Sequence, residues 1–213
     1  MITIDILETC GWAPALHGMR NPKDSWDKSD SGYRTNLFNG DTDYILGPND
    51  LDLSLRLALG GPVHAKYRRM IKVYFDIKAP LYWWKEFDTY KIGTVTNSCS
   101  TMHTIHKRDL TLDDFATDHL TECNLNLLTL IIKNINDARR SFIEADSFAE
   151  AKEDWWQMIQ LLPSSFLQKR TVEVNYEVLS NIYRFRKNHK LDEWREFCRV
   201  IEQLPYAKEL ILN

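Results

Sequence analysis

The chain has no two cysteines at the Cys-x-x-Cys spacing that a zinc knuckle or a redox dithiol requires; Cys10, Cys99, Cys123 and Cys198 are scattered along its length. All four are expected to be reduced thiols. No apolar run is long enough to span a bilayer, and residues 1–5 lack the basic start and apolar stretch of a secretory leader. The expected location is therefore the cytoplasm, with no membrane partner. An excess of one charge is missing too. A net charge of -3, from 27 basic and 30 acidic side chains, sets up no general field for gripping a polyanion. That argues against nucleic acid as a partner and leaves a small anionic ligand open. Low-complexity segments are absent.

What remains is ordinary globular usage: 44% hydrophobic and 27% charged residues over 213 positions, enough for one substantial core. One domain, 1–213, is expected. Residues 1–7 alternate Ile2, Ile4 and Ile6 with smaller or polar residues and predict a strand with one buried face. Residues 20–49 are rich in Asn, Asp, Ser, Gly and Pro, which predicts turns and a long irregular segment, a type of loop that is often functional. Gly47-Pro48-Asn49-Asp50 predicts the start of a short helix with Leu51, Leu55 and Leu59 on one side. Ile71, Val73, Phe75 and Ile77 alternate in a clean half-buried strand over 70–78. Pro80 then suits the first turn of a helix filled by Tyr82, Trp83, Trp84 and Phe87, and a polar loop is expected from Gly93 to Ser100.

The remainder reads as helical. Leu127, Leu130, Ile131, Ile135 and Ala138 recur at three- and four-residue steps within 120–141, and Ser147 with Glu150 forms a capping-box start for the next helix, stopped by Pro163. Two amphipathic segments, 174–188 and 191–204, finish the chain. Strands early and helices late make the class α+β.

Several constellations offer chemistry. Thr94, Thr96, Asn97, Ser98, Ser100 and Thr101 supply short hydroxyls and amides that suit a phosphate or a planar heterocycle, or simply an ordinary polar loop. A Cys99 thiolate can add to the C6 carbon of a uracil ring, yet a lone cysteine is more often a small hydrophobe. His103 and His106 have the spacing of a metal pair but no third ligand, so no metal is expected. Arg184, Arg186, Lys187, His189 and Lys190 crowd one helix end, either complementing its dipole or offering a planar guanidinium to a phosphate. Asn175, Leu179, Ile182 and Arg186 share one helical face. Trp83 with Trp84, and Trp155 with Trp156, serve core packing or stacking on a flat cofactor.

Phe75-Asp76-Ile77-Lys78-Ala79-Pro80 resembles the flavin-dependent thymidylate synthases, whose strand ends in a similar Lys-Ala-Pro before a helix bearing Gln and then Arg-His-Arg. The Gln falls on Glu86 here and the triplet on Thr89-Tyr90-Lys91. With one extra residue, the family's Asn-Glu-x-Ser falls on Asn97-Ser98-Cys99-Ser100, so Asn97 and Ser100 match while the Glu and both Arg of the triplet are replaced. His64 matches one of two upstream histidines. Asn175 and Arg186, eleven residues apart, correspond to a helix carrying Asn and a nucleotide-binding Arg. The resemblance covers about 60–103 and 175–199.

The resemblance implies a central, mainly antiparallel sheet with packed helices and a helix-rich C-terminal half. It also implies a homotetramer with FAD at subunit interfaces, a uracil nucleotide (dUMP) as substrate, methylenetetrahydrofolate as carbon donor and NADPH as reductant. The expected activity is flavin-dependent one-carbon transfer to C5 of the uracil ring. In that reading Glu86, Asn97, Ser98, Ser100 and Arg186 bind the nucleotide, and His64, Thr89, Tyr90, Lys91 and Asn175 line the flavin site. No catalytic residue is assigned, because reduced flavin supplies the hydride and no enzyme nucleophile is needed. The replaced charges leave open a nucleotide-binding or regulatory module that keeps the fold without the chemistry, and, less favoured, a purely structural helical assembly protein.

Overall fold

The computed structural model describes residues 2–35, 37, 40 and 42–212. Nine β-strand residues from Lys72–Pro80 (β4) form its best-buried strand: Val73, Phe75, Ile77 and Ala79 are fully buried and the residues between them half-buried, as the alternation predicts. β4 lies inside a four-stranded, mainly antiparallel sheet of order β1-β4-β6-β5, with β1 at Thr3–Cys10, β5 at Thr94–Ser98 and β6 at Leu167–Asn175. A separate antiparallel pair joins β2 (Gly32–Thr35) to β3 (Thr42–Ile45) in register Gly32 with Ile45.

The chain divides into two compact units. Unit 1 comprises Met1–Ile4, Asp76–Thr89 and Thr96–Thr171; unit 2 comprises Asp5–Phe75, Tyr90–Val95 and Val172–Asn213. Each strand of the four-stranded sheet therefore contributes residues to both.

Unit 1 carries α3 (Leu81–Phe87), α4 (Thr101–Thr104), α5 (Glu122–Glu144) and α6 (Phe148–Leu161). Leu128, Ile132, Ile135 and Met158 join α5 to α6 around Ile105, Leu110 and Phe115. Ser147 accepts the Glu150 backbone N–H and starts α6 where the capping signature places it. Trp83, Trp84 and Phe87 form a ring cluster with centroids 4.9–5.5 Å apart, so these aromatics are core.

Unit 2 holds α1 (Trp12–Arg20), α2 (Pro48–Leu59), α7 (Tyr176–Arg186), α8 (Asp192–Ile201) and α9 (Ala207–Leu210). Trp194, Phe197, Cys198 and Ile201 give α8 one buried face at three- and four-residue steps. On α2 the buried positions are Asp50, Leu53 and Ser54, not the Leu51, Leu55 and Leu59 face expected from hydrophobicity.

The reason is an interlock between α2 and the segment before it. Asp50 is fully buried; its Oδ1 accepts Arg20 Nε at 2.6 Å, and its Oδ2 accepts the Ser29 hydroxyl at 2.7 Å and the N–H groups of Asp30 and Ser31 at 3.2 and 3.1 Å. Asp30 answers by accepting the N–H groups of Asn49 and Asp50 at the start of α2. A Cβ at Gly47 would stand 2.2 Å from the Asp30 Cγ, so only glycine fits there. The stretch 20–49, expected to be irregular, thus carries the β2–β3 ladder and two 3-10 turns, and part of it is pinned to α2.

Two further expectations are corrected. The polar loop expected from Gly93 to Ser100 is largely an edge strand, β5, followed by the short α4. The all-helical C-terminal half is interrupted by β6, so Val174 and Asn175 end a strand and α7 begins only at Tyr176.

Candidate functional site

In unit 2, Asn175 sits at the junction of β6 and α7 with 5% of its surface exposed. Its Oδ1 accepts the Val178 N–H at 3.0 Å, capping α7, and its Nδ2 donates to the Gly93 carbonyl at 3.4 Å. Gly93 has φ +81°, and a Cβ there would lie 2.5 Å from the Asn175 Nδ2. Glycine is the residue that permits this close approach.

Asn175 and Gly93 line a groove of about 750 Å³, a volume in the range of roughly 300–1,000 Å³ typical of small-molecule and cofactor sites. Its cations are Arg68, Arg69 and Arg184, against one carboxylate, Glu177. Arg68 is buried, donating through Nη1 to the Leu210 carbonyl at 2.9 Å and to the Ser180 hydroxyl at 3.4 Å, while its Nε has no hydrogen-bond partner. Burial pulls its pKa below the usual arginine value, opposed by the nearby Tyr67 and Glu177. Arg69 grips Glu177 with two nitrogens, Nη2 to Oε1 at 3.0 Å and Nε to Oε2. A groove with surplus guanidinium charge and an unsatisfied buried N–H suits a ligand that carries phosphates.

Arg186 ends α7 beside a second set of unit 2 residues. Its Nε donates to the Tyr90 hydroxyl at 3.1 Å, its Nη1 stands 2.9 Å from His189 Nε2, and its guanidinium carbon lies 4.7 Å from the Trp194 ring centroid. That is cation–π geometry, which holds the guanidinium plane in place. Tyr90 and Arg186, singled out separately in the sequence, are therefore direct neighbours. His64 and Lys91 are exposed on the same unit.

The remaining candidates lie in unit 1. Glu86 is half-buried on α3, and its carbonyl accepts the hydroxyl of the exposed Thr89 at 2.7 Å. Asn97 and Ser98 are exposed on β5. Ser100 is half-buried at the start of α4, with its carbonyl accepting the Thr104 hydroxyl at 2.8 Å. Cys99 is exposed, its N–H bonded to the Lys169 carbonyl at 2.9 Å. The His106 ring packs on Phe142 at 5.0 Å between centroids, which is a packing role. Among the described residues no group of three His, Cys, Asp or Glu side chains is placed to hold a metal.

Of the groove arginines, Arg184 belongs to the basic stretch singled out in the sequence, whereas Arg68 and Arg69 were not singled out. The adjacent Arg68-Arg69 is a visible signal, but it falls in a 3-10 turn, Ala65–Arg69, where neither helical nor strand spacing reveals which side chain turns inward.

No family model and no curated protein matches the chain. Solved structures do. Thymidylate synthase X (ThyX) from Helicobacter pylori with FAD and dUMP superposes with a TM-score of 0.68 at 16% identity, over 100% of this chain and 98% of that one. A second structure, of the flavin-dependent thymidylate synthase ThyX from the same organism complexed with FAD and dUMP, gives 0.67 at 16% identity, over 97% of each chain. The whole chain thus adopts the fold of the flavin-dependent thymidylate synthases.

Proposed function

We propose that this protein is a flavoprotein that transfers a one-carbon unit to C5 of a uracil nucleotide, dUMP or a close relative. The observation that carries the reading is the unit 2 groove, with its Gly93–Asn175 junction and its three arginines, in a chain whose fold matches flavin- and dUMP-bound enzymes. FAD is assigned to this groove. Asn175 fixes the groove's wall, Arg68 and Arg184 meet the cofactor's phosphates, and His64, Tyr90 and Lys91 of the same unit complete the assignment; Thr89, in unit 1, remains a flavin candidate by family spacing alone. When bound, the flavin supplies the hydride, with methylenetetrahydrofolate as carbon donor and NADPH as reductant.

Arg186 is assigned to the nucleotide phosphate, since Tyr90, His189 and Trp194 hold its guanidinium in one orientation. Glu86, Asn97, Ser98 and Ser100 are assigned to the nucleotide as hydrogen-bonding groups. The proposed assembly is a cytoplasmic homotetramer with the cofactor at subunit interfaces, so these groups need not act on the nucleotide held by the same chain. No helix among the described residues is long and apolar enough to cross a membrane.

An absorbance spectrum of the purified protein tests the reading directly. Flavin bands, or a melting temperature raised by added FAD, are expected, together with tritium release from C5-labelled dUMP. A colourless protein that FAD does not stabilise overturns it. Stabilisation by dUMP without tritium release favours instead a nucleotide-binding module that has lost the chemistry, a reading supported by the Thr89-Tyr90-Lys91 sequence where an Arg-His-Arg triplet is expected.

A further inference from the structure

Among the described residues that line the unit 2 groove, Glu177 is the one carboxylate. It stands in the first turn of α7, where a negative charge suits the helix dipole. On the wall of a groove rich in guanidinium groups, the same charge would repel an anionic ligand unless something offset it.

Arg69 offsets it. This residue ends the 3-10 turn Ala65–Arg69 and forks onto both carboxylate oxygens, Nη2 to Oε1 at 3.0 Å and Nε to Oε2. The two side chains are 57% and 19% exposed, and an ion pair so open to water contributes little to stability. Its larger effect is on the charge of the groove, because it neutralises one guanidinium of three.

Arg68 and Arg184 remain. Arg68 is 7% exposed and donates through Nη1 to the Leu210 carbonyl and the Ser180 hydroxyl; it bonds to no carboxylate among the described residues, although the Glu177 charge reaches it through space. Arg184 is exposed, with its guanidinium carbon 5.5 Å from the Phe185 ring centroid and no ion pair among the described residues.

Two guanidinium groups without a bonded carboxylate match a ligand with two negative charges, which is the charge of a diphosphate esterified at both ends. A diphosphate with a free end carries more, because its terminal phosphate ionises a second time below neutral pH. We propose that Glu177 is a specificity-determining residue of this groove: by taking up Arg69, it sets a preference for doubly esterified diphosphates over nucleotides with a free terminal phosphate. The inference deepens the cofactor assignment and rests on the reading of this groove as a dinucleotide site.

Calorimetric titration of the full chain with ADP-ribose and with ADP tests it, since the two share an adenosine diphosphate body, lack a flavin and differ in charge. The wild type is expected to bind ADP-ribose more tightly. Glu177→Gln releases Arg69 and should shift the preference toward ADP by about fivefold. Arg69→Gln bares the carboxylate to the ligand and should shift it the opposite way, and the Arg69→Gln/Glu177→Gln double variant should return to the wild-type ratio. A wild-type preference for ADP, a ratio unmoved in both single variants, shifts of the same sign, or no saturable binding of either probe overturns the proposal. If Glu177→Gln melts early, Arg69→Gln decides alone, since Arg69 is largely exposed. FAD titrated into the same samples separates the two readings. FAD binding with an unmoved ADP-ribose-to-ADP ratio removes the charge rule and keeps the flavin, whereas a moved ratio without FAD binding does the reverse.

Discussion

Asp50 shows how much one side chain fixes in this protein. It has no exposed surface, and its neighbour Arg20 is 4% exposed, so the ion pair is shielded from water and from salt. Removing the carboxylate strands a buried guanidinium whose Nη2 already has no hydrogen-bond partner. Asp50→Ala is expected to lower unfolding free energy by roughly 3–5 kcal/mol, measured by urea denaturation. The pH dependence follows with a definite sign. Burial pushes the Asp50 carboxyl up, but hydrogen bonds from Ser31, Ser29 and Arg20 and the Arg20 charge outweigh it, so its folded pKa lies below the usual value. Such a group contributes its full stability above the unfolded value, about 3.9, and loses it as pH falls through the folded value. Asp50→Asn should lose that part of the acid-side decline, and a variant whose stability falls with acid as steeply as the wild type would contradict this. None of this is legible locally: Asp50 looks like a first-turn helix residue, and its partners Arg20 and Ser29 are 30 and 21 positions away.

Among the elements, α7 depends on a cap that also lines the groove to which FAD is assigned by proposal. Asn175→Ala removes both the acceptor for Val178 N–H and the donor to the Gly93 carbonyl. It should cost about 1 kcal/mol of stability, the usual worth of an N-cap, and weaken FAD binding as well. Asn175→Asp keeps the acceptor and loses the donor. It is expected to retain most of the stability while still weakening FAD, and titrations of the two variants that moved in parallel would show that Asn175 acts only as a cap. The sequence reveals elements of this kind unevenly. The alternation of Val73, Phe75 and Ile77 and the Ser147–Glu150 cap are local signals, and the structure follows both. β6 hides because its first half reads Gln168-Lys169-Arg170, charges satisfied by Asp76 and Asp88, residues remote in sequence. β5 is missed for the opposite reason: Thr94-Val95-Thr96 carries the β-branched signal of a strand, masked by the polar residues that suit its place at the sheet edge. Of the candidate site, family spacing singles out Tyr90, Asn175 and Arg186 one by one, whereas the contact between Tyr90 and Arg186 and the place of Asn175 at the end of β6 appear only in the structure. Arg68 and Arg69 require knowledge of which way a 3-10 turn faces.

At the scale of the whole molecule, the chain passes between its two units within every strand of the four-stranded sheet, in β4 after Phe75 and in β6 after Thr171. A fragment 76–171 would contain nearly all of unit 1 yet begin and end in the middle of a strand, without β1. It should therefore melt broadly and bind dyes for exposed apolar surface, and a sharp cooperative melt by circular dichroism would show unit 1 to be self-sufficient. The intact chain offers a simpler handle through Trp194. This indole is fully buried and lies under the guanidinium of Arg186. Any anion that draws on Arg186 changes the electric field across the excited indole, so occupancy becomes visible as a change in ultraviolet emission. Replacing Trp194 with Phe would identify which part of that light comes from this position. The protein thus carries an intrinsic optical gauge at the residue assigned to the nucleotide phosphate, and ligands can be ranked on unlabelled material.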